Sequence, residues 1–169
     1  MVKIYKSNYR QRMKHFGSVY FLFGGLLFVV VFAIYKFGIQ DLGIYLKIML
    51  IPFILFILPT LYIHLEYYFT NRNDILKIDD AKNRVEHTHM NKTIDFDFND
   101  ITSIEQFKTP IVFEKRASWV PWDTYNYTKI LLNNQEQIFI TCHMIDEFDL
   151  PIVKEKKKEY VVWLPYLRR

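Results

Sequence analysis

The sequence predicts a membrane-embedded hairpin of two α-helices followed by an all-β cytoplasmic domain, a small antiparallel β-barrel or a sandwich. Three observations carry that prediction. Two uncharged apolar runs of bilayer length lie near the start, a basic stretch precedes them, and the remainder alternates short apolar runs with turn residues. With 169 residues, 51% apolar and 24% charged, the chain has room for one domain and a modest appendage. Its composition excludes a disordered or collagen-like polymer. A single cysteine, Cys142, excludes an internal disulfide framework and any multi-cysteine zinc or iron–sulfur site.

Residues 1–15 form the first unit, a basic arm. Lys3, Lys6, Arg10, Arg12 and Lys14 meet no acidic residue there, which leaves 17 basic against 18 acidic residues in the rest of the chain. The sequence pI of about 9.0 is therefore largely the property of a membrane-flanking segment. It places the N-terminus in the cytoplasm by the positive-inside rule and argues against DNA or RNA as a partner.

Residues 16–68 form the second unit, the hairpin. Phe16 to Tyr35 is an uncharged stretch of twenty residues, enough at about 1.5 Å per residue to span about 30 Å of hydrocarbon. It has no polar face, unlike a soluble core helix, and no small-residue cleavage site, unlike a signal peptide. Ile48 to Ile63 is a second uncharged run of sixteen residues, with Pro52 and Pro59 expected to kink it. Two spans return the chain to its starting side, so a bacterial inner-membrane, multi-pass protein with both termini cytoplasmic is expected. Gly24 and Gly25 permit close helix packing, and hence self-association in the bilayer.

Residues 71–169 form the β domain. Expected strands are Ile75–Asp79, Arg84–Met90, Thr93–Phe98, Ile101–Lys108, Thr124–Leu132 and Gln137–Cys142, with Tyr160–Leu164 as a possible last one. The charge run Lys154 to Glu159 reads as a solvated turn, or as a basic patch beside aromatics that suits an anionic leaflet. No glycine occurs after Gly43, which is unusual for a β protein.

No catalytic residues, metal ligands or cofactor site emerge. His87 and His89 share a strand face, but no third ligand is evident. Cys142 and His143 alternate to opposite sides of a strand, poor geometry for a nucleophile pair. The richest binding candidate is Lys115, Arg116, Trp119, Trp122, Tyr125, Tyr127 and Lys129. Aromatic rings stack on bases and cations neutralise phosphate, so this set suits a nucleotide; as an alternative, the tryptophans plug the end of the domain.

The phrase Ile94-Asp-Phe-Asp-Phe-Asn-Asp-Ile101-Thr-Ser-Ile104-Glu and the later Ile130-Leu-Leu-Asn-Asn-Gln-Glu-Gln-Ile138-Phe-Ile140 resemble the strand–turn–strand units of bacterial membrane-anchored PH-like proteins. The whole layout also resembles the two-transmembrane β-barrel effectors of bacterial antiphage systems built on cyclic oligonucleotide signalling (CBASS-like). That resemblance implies a cytoplasmic barrel that binds a cyclic nucleotide and helices that oligomerise and disrupt the membrane, without enzymatic activity. The PH-like resemblance implies instead a tethered scaffold acting through protein contacts or lipid headgroups.

Overall fold

The computed structural model describes residues 2–38, 42–90, 92–118, 120–151 and 154–168. Part of the basic arm is a strand. Val2–Lys6 forms β1, which pairs antiparallel with β2 (Ile75–Asp79) in the register Val2↔Asp79 to Lys6↔Ile75. Tyr5 packs against the core beneath it, and Lys3 holds Asp80 at 2.7 Å. The two helices are thus an insertion between adjacent strands of one sheet.

Helix α1 (Tyr9–Phe37) starts where the Asn8 side chain accepts a hydrogen bond from the Gln11 amide at 2.8 Å. It stops at Gly38, whose φ of 76° is open to glycine without strain. Helix α2 (Leu42–Asn71) is assigned as one helix through Pro52 and Pro59. Within them, Tyr9–Lys36 and Leu46–Asn71 are long and apolar enough to cross a membrane, by length and composition. The two helices meet through Phe23 and Phe53, edge to face at 4.9 Å, while Phe21, Leu27, Phe28 and Leu55 stay exposed.

Two four-stranded sheets follow. The first runs β1-β2-β3-β4, with β3 at Arg84–His89 and β4 at Lys92–Asp97. A 3-10 turn at Phe98–Asp100 carries the chain into the second sheet, where the Asp97 amide bonds the Asp100 carboxylate at 2.9 Å. That sheet is ordered β7-β6-β5-β8, with β5 at Ile101–Lys108, β6 at Asn126–Leu132, β7 at Gln137–Thr141 and β8 at Lys157–Val161. The short helix α3 (Pro110–Glu114) lies in the β5–β6 connection.

Two expectations are corrected here. The sheets do not close into a barrel, because the 3-10 turn separates β4 from β5 and, among the described residues, no ladder joins the two sheets. The second sheet is also mixed, since β8 runs parallel to β5 from Ile104↔Lys157 to Lys108↔Val161. The charge run of the tail joins this strand, with Lys157 on Asp149 at 2.5 Å and Glu159 on Lys108 at 2.8 Å.

Leu76, Ile78, Val85 and Phe96 of the first sheet meet Ile104, Ile130, Ile138 and Ile140 of the second in one core. The opposite face of the second sheet carries Phe107 and Tyr127, which pack with Tyr125, Val162 and Leu167 against Ile63 and Tyr67 of α2. The result is three layers: sheet, sheet and helix base. The missing glycines are replaced at the turns by Asn83, Met90 and Gln135, with φ of 54°, 54° and 66°.

Candidate functional site

The joint between the helix bases and the second sheet gathers the largest set of buried polar groups. One face of α1 presents Gln11, Lys14, His15 and Ser18, the three- and four-residue spacing that stacks side chains along a helix. Gln11 donates to the Asp146 carboxylate at 2.8 Å and to the Cys142 carbonyl at 3.2 Å. His15 Nε2 meets Asp146 Oδ1 at 2.9 Å, and Lys14 pairs with Oδ2. Burial alone would push the Asp146 carboxyl up, but the bond from Lys14 and the charges of Lys14 and His15 hold it below the usual range. Ser18 donates to the Pro121 carbonyl at 2.9 Å.

Helix α2 is fastened along four turns. Phe56 stacks on Trp122 at 5.8 Å and Tyr62 meets Tyr166 edge-on at 5.1 Å. His64 Nδ1 shares a 2.8 Å hydrogen bond with the Tyr125 hydroxyl, and Tyr67 donates to the Pro165 carbonyl at 2.7 Å. At the end of the helix, Asn71 is fully buried. Its amide donates to the Phe139 carbonyl at 2.8 Å and to Asp74 at 2.7 Å, and its oxygen accepts from the Thr141 amide at 2.9 Å. One side chain therefore ties α2 to β7 and to the residue that leads into β2.

His143 sits at the centre, fully buried, with neither ring nitrogen hydrogen-bonded. Its ring is caged by His64 at 4.6 Å, Tyr67 at 5.7 Å, Tyr125 at 6.0 Å and His15 at 6.4 Å. Burial pushes the imidazole down to about 2, helped by the charges of His64, His15 and Arg12. The neighbouring Cys142 thiol is pushed up to about 12, chiefly by burial. Neither group is charged at neutral pH, so the joint is a packed coupling and not a reactive pair.

The sequence-predicted ligand residues disperse over four places. Trp122 and Tyr125 belong to the joint. Lys115 and Tyr127 line a groove of about 410 Å³ with Lys108, Asn126, Asp149 and Lys157. Tyr127 is covered on one ring face by Phe107, stacked at 4.6 Å, and burial pushes its hydroxyl up to about 12. Arg116 pairs with Glu114, and Lys129 lies 5.8 Å above the Phe139 ring. Trp119 lies outside the described residues. Gly24 and Gly25 face outward, and a Cβ at either would meet nothing within 4 Å, so they take no part in the contact between α1 and α2 of one chain.

The partner that sequence reading missed for His87 and His89 is Asp74. Its carboxylate takes His87 Nε2 at 3.1 Å and His89 Nδ1 at 2.6 Å, in a cleft of about 480 Å³ floored by Phe69 and Phe139. Burial works against the carboxylate, yet the hydrogen bonds from His87, His89 and Asn71 outweigh it and lower its pKa. The side chains of Asp74, His87 and His89 engage one another while the buried His87 Nδ1 has no hydrogen-bond partner; among the described residues, no three His, Cys, Asp or Glu groups are arranged to hold a metal ion. Asp74 sits just before β2 with no periodic signal, so only the return of the chain from α2 reveals it.

A sequence-family model described as PH domain matches residues 4–151. The matched region begins in β1, runs through both apolar helices, and ends after β7 and its following loop. No curated protein matches the chain, and no solved structure does.

Proposed function

The chain belongs to the PH domain family, and from that premise we propose that it is a membrane-anchored PH-like scaffold. The hairpin of α1 and α2 crosses the bacterial inner membrane, and the sheets stand on its cytoplasmic end at a fixed height and angle to meet a protein partner. The observation that carries this reading is the attachment of Asn71, at the end of an unbroken helix, to β7 of the second sheet and to Asp74 at the entry to β2. A flexible tether would leave the domain free to tumble, whereas this joint fixes its orientation. Pairing of β1 with β2 supports a common side for the N-terminus and the sheets. The outer edge of β1, with Val2 and Ile4 exposed, is an open strand edge suited to pairing with an extended partner segment.

The test is a photo-crosslinker placed at the exposed Val2 in the membrane-embedded full chain. The scaffold reading expects one discrete adduct that Ile4→Asp removes without releasing the protein from alkaline-washed membranes. Release by the alkaline wash, or an adduct indifferent to Ile4→Asp, overturns it.

A second reading makes the same anchored domain a receptor for a cyclic nucleotide in antiphage defence. Lys108, Lys115 and Lys157 around the 410 Å³ groove favour it, while Asp149 and Glu159 pair with two of those cations and oppose it. In that reading, ligand binding promotes self-association through the outward Gly24–Gly25 face, and the assembled helices breach the membrane. Thermal unfolding of the detergent-solubilised full chain with cyclic di- and trinucleotides decides it: a Tm raised by one of them supports a receptor, and no shift removes it. The fragment from Asn71 onward is unsuited to this test, because it lacks β1 and the helix layer over Tyr125 and Tyr127.

A further inference from the structure

The depth at which the sheets grip the helices has a consequence for the lipid. Seating the uncharged runs Phe16–Tyr35 and Ile48–Ile63 in the hydrocarbon, about 30 Å thick, puts its inner boundary near Phe16 on α1 and near Ile63 on α2. Contacts from the sheet domain reach to that boundary and past it. The Pro121 carbonyl bonds Ser18, Trp122 stacks on Phe56 nearly two turns deeper than Tyr62, and Tyr166 lies against Tyr62 itself.

The tail approaches the same level. Strand β8 runs parallel to β5, and the Val162 amide bonds the Lys108 carbonyl at 2.9 Å where β5 ends beside the joint. Residues 163–164 follow immediately, before Pro165 returns the chain to Tyr67. Trp163 is 80% exposed and Leu164 is exposed as well, although Pro165 and Leu167 on the same turn are buried. A large indole held in water by a well-fastened turn is a costly arrangement for a soluble surface, and tryptophan prefers the zone where headgroups meet acyl chains. Lys158 and Arg168, which flank it in the sequence, are exposed, and anionic headgroups attract such cations.

We propose that the sheet domain is partly submerged, with Trp122 and the Trp163–Leu164 turn seated in the headgroup–acyl boundary of an anionic phospholipid leaflet. This inference rests on the membrane-anchored reading and adds a second, peripheral contact to it. The joint and the lipid surface then fix the domain together, the helices setting its height and the turn its tilt.

Tryptophan quenching tests it in the full chain reconstituted into phosphatidylglycerol–phosphatidylcholine vesicles. Trp119→Phe with Trp122→Phe leaves Trp163 as the single reporter, and the Phe at 122 retains a ring for Phe56. Lipids brominated near the headgroup should quench Trp163 at least twofold, with aqueous iodide quenching it weakly. The companion reporter has Phe28→Trp in a chain whose three native tryptophans are Phe, and lipids brominated deep in the acyl chain should quench it. Quenching of Phe28→Trp with Trp163 open to iodide overturns the submerged rim while sparing the anchor; failure to quench Phe28→Trp overturns the anchor itself.

Discussion

His15 on α1 meets Asp146, 131 positions later, at 2.9 Å, and the same carboxylate takes Gln11 and Lys14. One loop residue thus collects three consecutive contacts from the base of the first helix. Asp146→Ala leaves the buried His15 Nε2 without a partner and the Gln11 amide with only the Cys142 carbonyl, at a cost of about 1–3 kcal/mol. Lys14 adds little to that figure, because it and Asp146 are both well exposed and their pair is screened. Thermal unfolding of the detergent-solubilised full chain should show the drop; a Tm equal to wild type would mean the contact carries no load.

Asn71 makes three hydrogen bonds from a position with no solvent exposure. Asn71→Ala strands the Thr141 amide and removes a donor from Asp74, so a loss of about 2–3 kcal/mol is expected. Hydrogen exchange should rise at Thr141 and along the end of α2. Unchanged protection there would contradict the role given to Asn71.

His143 makes stability depend on pH in a definite direction. Its imidazole is neutral in the folded protein, with a pKa of about 2, and takes a proton near the ordinary 6.5 when exposed. The unfolded state therefore binds the extra proton, so its contribution is constant above pH 6.5 and declines as pH falls below it. The slope approaches about 1.4 kcal/mol per pH unit. His143→Phe keeps a ring in the aromatic cage, removes two unpaired nitrogens, and should flatten Tm against pH between 6.5 and 5. A parallel decline in variant and wild type would assign the effect to other groups.

Gln135 adopts φ of 66° in the exposed β6–β7 turn. A side chain in that region costs about 1–2 kcal/mol, partly offset by the greater backbone freedom of glycine when unfolded. Gln135→Gly should therefore stabilise by about 0.5–1 kcal/mol in chemical denaturation, and a destabilised variant would contradict this.

Much of the fold was legible because its signals are local. The strands β2 to β7 follow alternation and turn residues; β2 and β5 have the expected limits, and those of the other four differ by a residue or two. What could not be read was non-local. Val2–Lys6 becomes a strand only because Ile75–Asp79 offers an edge after a helical detour, and basic residues masked its alternation. Barrel closure was inferred from the regular spacing of short strands and turns, but closure depends on a ladder that the Phe98–Asp100 turn does not make. The site suffered most: Trp122 and Tyr125 advertise aromatic surface, and the composition does not say that Phe56 and His64 already occupy it. Asp74 and Asp146 carry no motif and acquire their partners from distant parts of the chain.

The central claim is that the hairpin crosses the membrane and leaves both β1 and the sheets on the inner side. The most direct measurement is labelling of introduced cysteines by a membrane-impermeant thiol reagent in bacterial cells whose outer membrane has been opened. Lys36→Cys sits near the hairpin tip and Asn134→Cys in the β6–β7 turn, both exposed, while native Cys142 is buried. The account predicts that Lys36→Cys reacts in these cells and that Asn134→Cys reacts only once the inner membrane is permeabilised. Asn134→Cys labelled from outside, or Lys36→Cys protected, would contradict it.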